Sequence, residues 1–261
     1  MQETSALYNE LIAQDNHWFE TSLVIGEGGR LINEASDIIL FGGTAILVDT
    51  GGPDSGFDET TLFSLVTSHA VFNQNVPVVG SAVSGEITVT MLNTPSPPPT
   101  MARIAPFVRV TDGVRHSEWI PKGVYYIDTR ETSHNSNGLD ILTIHGYDSM
   151  LMFEQDYPSD NAHDYPMLDT DMVQFLASSI NINVDPRTIE RMNRGYRFPL
   201  PVGYSSREVL GIIAASYGGN FIISDENQLL LIKLGDLPKE TNYLVDSVGD
   251  VIVFGSDKIL V

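Results

Sequence analysis

Between residues 21 and 144 the apolar positions come in short β-branched runs broken by glycine and proline, and the best of these runs alternate with polar positions. Residues 85–93 are the clearest: Ile87, Val89 and Met91 fall on one side and Thr88 and Thr90 on the other, as a strand with one buried and one wet face requires. The same reading predicts strands at 23–25, 38–40, 45–48, 104–110, 123–128 and 139–145, hence a β-barrel or sandwich. Residues 133–138, SHNSNG, read as a hairpin connection because Asn and Gly tolerate positive φ. The glycine-rich stretch 51–56 reads as a loop, and 58–68 after it as a small helix. Residues 93–100 hold four prolines, which lack the N–H a helix or ladder needs, so an extended surface loop is expected there.

Helical periodicity appears at both ends of this β region. Residues 4–14 place Leu7, Tyr8, Leu11 and Ile12 on one stripe. After Tyr147 a linker rich in Asp, Pro and Tyr, 155–166, leads into a second texture. Here 169–180 carries a stripe of Met172, Val173, Leu176 and Ile180, with Asp169 or Thr170 as the expected N-cap. Residues 185–191 open with Pro186 at the first helical position. Residues 205–217 combine a Ser205/Glu208 capping box, a stripe of Val209, Ile212, Ile213 and Tyr217, and the stop signal Gly218-Gly219. A hairpin of 221–224 and 228–234 follows, turning at Asp225-Glu226-Asn227. The expected fold class is mainly β, α+β in kind. It divides into an N-terminal helical arm at 1–20, a β-barrel or sandwich domain at 21–150, a smaller α/β domain at 151–240, and at 241–261 the start of a further β domain, largely absent.

With 42% hydrophobic residues in 261, a real core is affordable without staples, and the lack of any cysteine excludes disulfides, thiolate metal sites and cysteine nucleophiles. No apolar run is long enough to span a bilayer and the first residues lack a basic leader, so the reading is a soluble protein made in the cytoplasm. The net charge of −20 is unevenly placed: residues 1–100 hold 12 acids against Arg30 alone. Sequence-independent grip on nucleic acid needs the opposite sign. Five bases, Arg103, Arg109, Arg115, Lys122 and Arg130, are interspersed with Asp112, Glu118 and Asp128, with Glu131 next in line. Beside Phe107, Trp119, Tyr125 and Tyr126 this strip could stack single-stranded bases. Ion pairs between subunits, against the acidic first hundred residues, are the preferred reading.

Catalytic constellations are missing. His17, His69, His116, His134, His145 and His163 show no metal-ligand spacing, and Asp169 and Asp171 bracket a helix start, where carboxylates meet the dipole, so capping is preferred to metal binding. His145 on its alternating strand reads as a half-buried histidine with a partner. Ser205 and Ser206 are helix caps with no nucleophile elbow around them. The glycines near 26–29 and 51–56 match neither a P-loop nor a dinucleotide fingerprint. No catalytic, metal or cofactor residue is assigned, and no enzyme is expected.

Several segments are more specific. Residues 85–93 (GEITVTMLN), 104–113 (IAPFVRVTDG) and 117–130 (SEWIPKGVYYIDTR) resemble the first domain of siphophage and prophage tail hub proteins. Residues 142–158 (LTIHGYDSMLMFEQDYP) and 200–234 (LPVGYSSREVLGIIAASYGGNFIISDENQLLLIKL) are similar to that family's second domain. The resemblance spans about 21–234. It relates the chain to contractile-tail baseplate hubs and to the N-terminal part of type VI spike proteins. It implies a tube-like β-barrel domain with a helix at 58–68 and a second barrel beginning near Asp246. It further implies a homotrimer forming a pseudo-sixfold ring at the tail tip. Such a hub is a structural protein of the virion. It adapts tube symmetry, contacts the distal tail ring and the tape-measure protein, and lets DNA pass without specific binding. A carbohydrate- or receptor-binding module, with Trp119, Tyr125 and Tyr126 as a stacking platform, is the alternative, and a glycoside hydrolase comes third. In a hub, the acids Asp37, Asp49, Asp54, Asp58, Glu59 and Glu86 could line the channel, where negative charge would hold DNA off the wall.

Overall fold

The computed structural model describes residues 4–26, 53–72, 78–93, 98–134, 138–158 and 164–236, together with six two-residue strand pieces. A short helix, α1 (Ala6–Ile12), comes first, its N-terminus capped by the Ser5 hydroxyl, which accepts from the Tyr8 N–H. Only Leu11 of the expected stripe is fully buried, and Ile12 is exposed.

Six strands build the main sheet: β1 (Trp18–Gly26), β2 (Leu62–Ser68), β3 (Glu86–Leu92), β4 (Arg103–Thr111), β6 (Tyr125–His134) and β7 (Asp140–Asp148). They lie in the order β1-β4-β6-β7-β3-β2, every pairing antiparallel, and a short β5 (Ile120–Pro121) joins the outer part of β4. Ile87, Val89 and Met91 of β3 point inward with Leu142 and Ile144 of β7, Ile104, Tyr125, Ile127 and Leu23 into one core. The alternation read from residues 85–93 therefore holds, and so do the strands expected at 23–25, 104–110, 123–128 and 139–145, each longer than or shifted against its expected bounds.

Two expectations fail. Residues 58–68 are not a helix: a turn at Asp58–Thr61 leads into β2, which pairs with β3 from Leu62↔Met91 to Ser68↔Glu86. The run LFSLVTS offers apolar residues at helical and strand spacings alike, and the open ladder edge of β3 decides between them. Nor does the sheet close into a barrel among the described residues. No ladder joins β1 to β2 among the described residues, and the gap is bridged by the chain between them, where Leu23 exchanges two 2.8 Å backbone hydrogen bonds with Phe57 and the Thr61 carbonyl accepts from the Leu92 N–H.

The second core is α/β. Residues Ser149–Glu154 form a 3-10 turn that delivers Met150 and Phe153 into it. Then come β8 (Met167–Leu168), α2 (Asp169–Ser179), β9 (Asn183–Val184), α3 (Pro186–Arg191), β10 (Arg197–Phe198), α4 (Ser206–Tyr217), β11 (Gly219–Ile223) and β12 (Gln228–Lys233). β11 and β12 form the expected hairpin, with β9 parallel on its far side. The N-cap of α2 is Leu168, with no side-chain bond, in place of the expected Asp169 or Thr170. Asp169 is instead buried one residue later, where it is used as an acceptor. In α4 the capping box of Ser205 and Glu208 is present as expected, and Gly218 ends the helix at φ 67°. Ile212 departs from the expected stripe and is 45% exposed, while Leu210 and Ala214 are buried in its stead.

The strands expected at 38–40 and 45–48 and the start of a further domain near 246 lie largely outside the described residues, which there comprise only the pairs Leu40–Phe41 with Thr44–Ala45, Gly29–Arg30 with Leu47–Val48, and Val253–Phe254 with Asp257–Lys258. The proline loop at 94–97, Asp37, Asp49 and His163 also fall outside them.

Candidate functional site

Arg109, Arg115, His116, Glu118 and Trp119 of the basic strip meet the first residues of the chain and Asp54. Arg109 on β4 stacks 4.3 Å from the Trp119 ring, donates from Nε to Glu20 at 2.6 Å and lies 3.6 Å from Asp54. Trp119 Nε1 donates to the same Asp54 carboxylate at 2.8 Å, and His116 Nδ1 is 3.2 Å from Glu20. Nearby, α1 is tied down by Ser5, whose N–H and hydroxyl both donate to Glu118, and by an Arg115–Glu10 pair at 2.7 Å. The Asp112 carboxyl is drawn down to about 2, because it accepts the Arg115 and Val114 N–H groups at the tip of the turn. Two bases of the strip, Arg109 and Arg115, thus meet acids of the first hundred residues within one chain, while Lys122 lies 3.9 Å from Asp225. Helix α1 folds back onto β4, so the two sets of charges are neighbours before any partner arrives.

The aromatic platform does not assemble. Tyr125 is fully buried in the sheet core, whereas Trp119 is half-buried on the outer surface under Arg109. Of the acids expected along a channel, Asp54 pairs with Trp119 and Arg109, Asp58 caps the Thr60 N–H, and Glu59 accepts from Thr21; Glu86 stands exposed beside Ser68.

Three features that the sequence did not announce hold the two cores together. The first is Asp148, the last residue of β7 and 2% exposed. Its Oδ2 accepts the Gly85 N–H at 2.6 Å, and its Oδ1 accepts the Ser84 hydroxyl at 2.9 Å and the Met150 N–H at 3.0 Å. The chain passes from one core to the other at Ser84-Gly85 and again at Asp148-Ser149, so one carboxylate ties both crossings. Burial pushes this carboxyl above the usual range, against the pull of those three donors and of His69 nearby. His69 Nε2 is hydrogen-bonded to the Tyr125 hydroxyl at 2.8 Å, and burial, reinforced by Asp148, raises that phenol too. A Cβ on Gly85 would lie 2.6 Å from the His69 ring and 2.9 Å from Asp148, so only glycine fits between them.

The second feature is the segment just before Ser84, which joins the hairpin of the other core as an added strand. Gly80 N–H donates to Gly219 O, Phe221 N–H to Ser81 O and Val83 N–H to Phe221 O. Buried Asn220 accepts the Ser81 N–H and donates to the carbonyls of Val71 and Val78, closing a loop of the first core onto the second. The third is a glycine contact: a Cβ on Gly211 of α4 would lie 2.8 Å from Gly80 O, and a Cβ on Gly80 would lie 2.9 Å from Ala215 Cβ. Between this segment and α4 runs an open cleft of about 1000 Å³ lined by Val79, Tyr204, Glu154, Arg207 and Ile212. Arg207 spans its floor, donating to Ala82 O at 2.8 Å and pairing with Glu154.

Asp169 is a second buried carboxylate. It accepts from the Tyr217 hydroxyl and from the N–H groups of Thr170 and Tyr196, and Tyr217, through burial and that bond, is pushed up to about 12. Asp171 stays exposed and apart, and among the described residues no three His, Asp or Glu side chains converge as a metal site would need. His145 has the expected partner, Thr88 at 3.1 Å across the outer face of the sheet, but is exposed, not half-buried. Ser205 and Ser206 serve the start of α4. No helix among the described residues is long and apolar enough to cross a membrane.

No family model and no curated protein matches the chain. Among solved structures it is similar to the 43 kDa tail protein of prophage MuSo2 from Shewanella oneidensis, with 13% identity over 83% of this chain and 56% of that one at a TM-score of 0.49. A tail protein from Neisseria meningitidis MC58 gives 12% identity, 89% and 58% coverage and a TM-score of 0.48. The PdpA–VgrG complex of Francisella gives 12%, 71%, 25% and 0.35. The chain spans little more than half the length of the first two.

Proposed function

We propose that the chain is a structural, non-catalytic component of a phage or prophage tail tip, a hub that assembles as a threefold ring and contributes to the wall of the DNA exit channel. The observation that carries this reading is where the family-like segments fall. GEITVTMLN, IAPFVRVTDG and SEWIPKGVYYIDTR supply β3, β4, β5 and β6 of one sheet, the 142–158 segment expected in the second domain divides between β7 of that sheet and the turn Ser149–Glu154 of the second core, and 200–234 supplies α4 with the β11–β12 hairpin. The two cores they build are welded through Asp148, Asn220 and the Gly80–Gly211 contact, which suits a load-bearing adaptor better than an enzyme whose lobes must open. Burial of Tyr125 removes the shared ledge on which the glycan-binding alternative rested.

Mass photometry of the full chain across the micromolar range tests the reading. A threefold species, with a central hole in solution scattering, is expected. A strict monomer at the highest concentrations overturns the ring, and turnover of peptidoglycan or polysaccharide abolished by one carboxylate substitution overturns the non-catalytic role. If the ring forms, the position of Glu86 and Asp58 relative to its lumen decides whether acids line the channel.

A further inference from the structure

The two edges of the main sheet are treated differently. On β1, the Leu23 N–H and carbonyl are taken by Phe57 and the Thr21 N–H is taken by the Glu59 carboxylate at 3.0 Å. On β2 the outward edge has no partner among the described residues. Its seven residues contain no charge, proline or glycine, although charged and proline residues are the usual means of blunting an open edge. A bulge between Leu62 and Ser64 re-aims Phe63 at one end and leaves 64–68 regular. Leu62 and Leu65 face the core, while Phe63 and Val66 are 54% and 56% exposed. Outward-facing neighbours continue the surface in rows set by the register, Ser64–Thr90–Thr143 and Val66–Thr88–His145. The rim is acidic at both ends, with Asp58 and Glu59 before β2 and Glu86 opposite Ser68, all exposed, and no Lys or Arg occurs between residues 31 and 102 to offset them.

We propose that the free edge of β2 is a strand-addition site for an extended segment of another protein, one with uncharged, β-branched residues at its centre and basic residues on its flanks. Main-chain hydrogen bonds to β2 would supply the affinity, and the Val66–Thr88 row would receive alternate side chains. Acidic rim against basic flank would set partner and orientation, because rim charges steer and select more than they bind. The inference stands on the sheet edge alone and holds whether or not the chain is a tail component.

The probe is the peptide Lys-Lys-Thr-Val-Thr-Val-Thr-Val-Lys-Lys, and the readout is amide hydrogen exchange of the full chain. Exchange across 64–68 should slow by about tenfold or more on addition of the peptide, as newly paired amides do. N-methylation of alternate peptide residues should abolish the effect, and glutamates in place of the lysines should weaken it about tenfold. Val66→Lys, at an exposed position, should abolish it while leaving exchange in the β3 and β7 core unchanged. Absence of slowing at 64–68, slowing confined to other segments, or indifference to N-methylation would overturn the proposal. So would protection of 64–68 that grows with protein concentration without peptide, which would make this edge a contact between copies.

Discussion

At Asp148 three donors converge on a carboxylate that burial alone would rather neutralise. Asparagine keeps one acceptor oxygen but turns an N–H₂ group toward the donor on the other side, the Ser84–Met150 pair or Gly85. We expect Asp148→Asn to destabilise the fold by about 1–3 kcal/mol, the range for stranding a buried polar group, read as a lower urea midpoint with the slope retained. Gly211→Ala sets two effects against each other. Helix propensity favours alanine by about 1 kcal/mol, but the new Cβ would sit 2.8 Å from a backbone carbonyl that cannot rotate away. Repulsion should win, and the variant should melt lower, the reverse of what an exposed helical glycine gives. Neither residue carries a sequence signal of its role. The Asp148 cluster joins residues 69, 84, 85, 125 and 148, and their meeting is a property of the path of the chain.

Among elements, α4 was the most legible, because cap, stripe and stop are all encoded within fourteen consecutive positions, Ser205 to Gly218. Ser205→Ala should cost about 1 kcal/mol by removing the acceptor of the Glu208 N–H, and thermal melts of Ser205→Ala and Ser205→Asp should separate, the aspartate recovering most of the loss. Ile212 leaves the apolar stripe for a local reason: Gly211 must face the Gly80 carbonyl, and this rotates α4 so that Leu210 and Ala214 turn inward. Residues 58–68 were illegible for a different reason. A seven-residue apolar run has no decisive period, and its state was set by β3, some twenty residues further on.

For the whole molecule the acid limb of stability should be shaped by carboxylates of opposite sign. Asp112 and Asp58, lowered by local N–H and hydroxyl donors, Asp185, lowered by Arg187, and Glu118, lowered by Ser5, contribute stability that is complete above their ordinary range near 4 and is lost as pH falls through their folded values, down to about 2 for Asp112. Asp148 works the other way. Its raised value means that its contribution is complete below the ordinary range and is lost as pH rises through the folded one. Urea titrations between pH 2 and 7 should therefore show a steep loss below about 4, and above that a shallow gain on acidification that disappears when Asp148 is replaced by Asn.

What the sequence by itself determined is whatever depends on neighbours along the chain: alternation in β3 and β7, the start of α3, the cap and end of α4, the β11–β12 turn, and a composition without cysteine or a cationic excess. Periodicity reports which face of an element is apolar, and capping needs only residues three positions apart. Tertiary structure alone decided that 62–68 is a strand, that Phe57 pairs with Leu23 where no ladder joins β1 to β2 among the described residues, that Arg109 and Arg115 are answered by Glu10, Glu20 and Asp54 of the same chain, and that Tyr125 is core while Trp119 is half-buried. Each of these depends on which distant segment presents a free ladder edge or an opposite charge. That information resides in the folded path, since pairing free energy accrues only once remote segments are brought together.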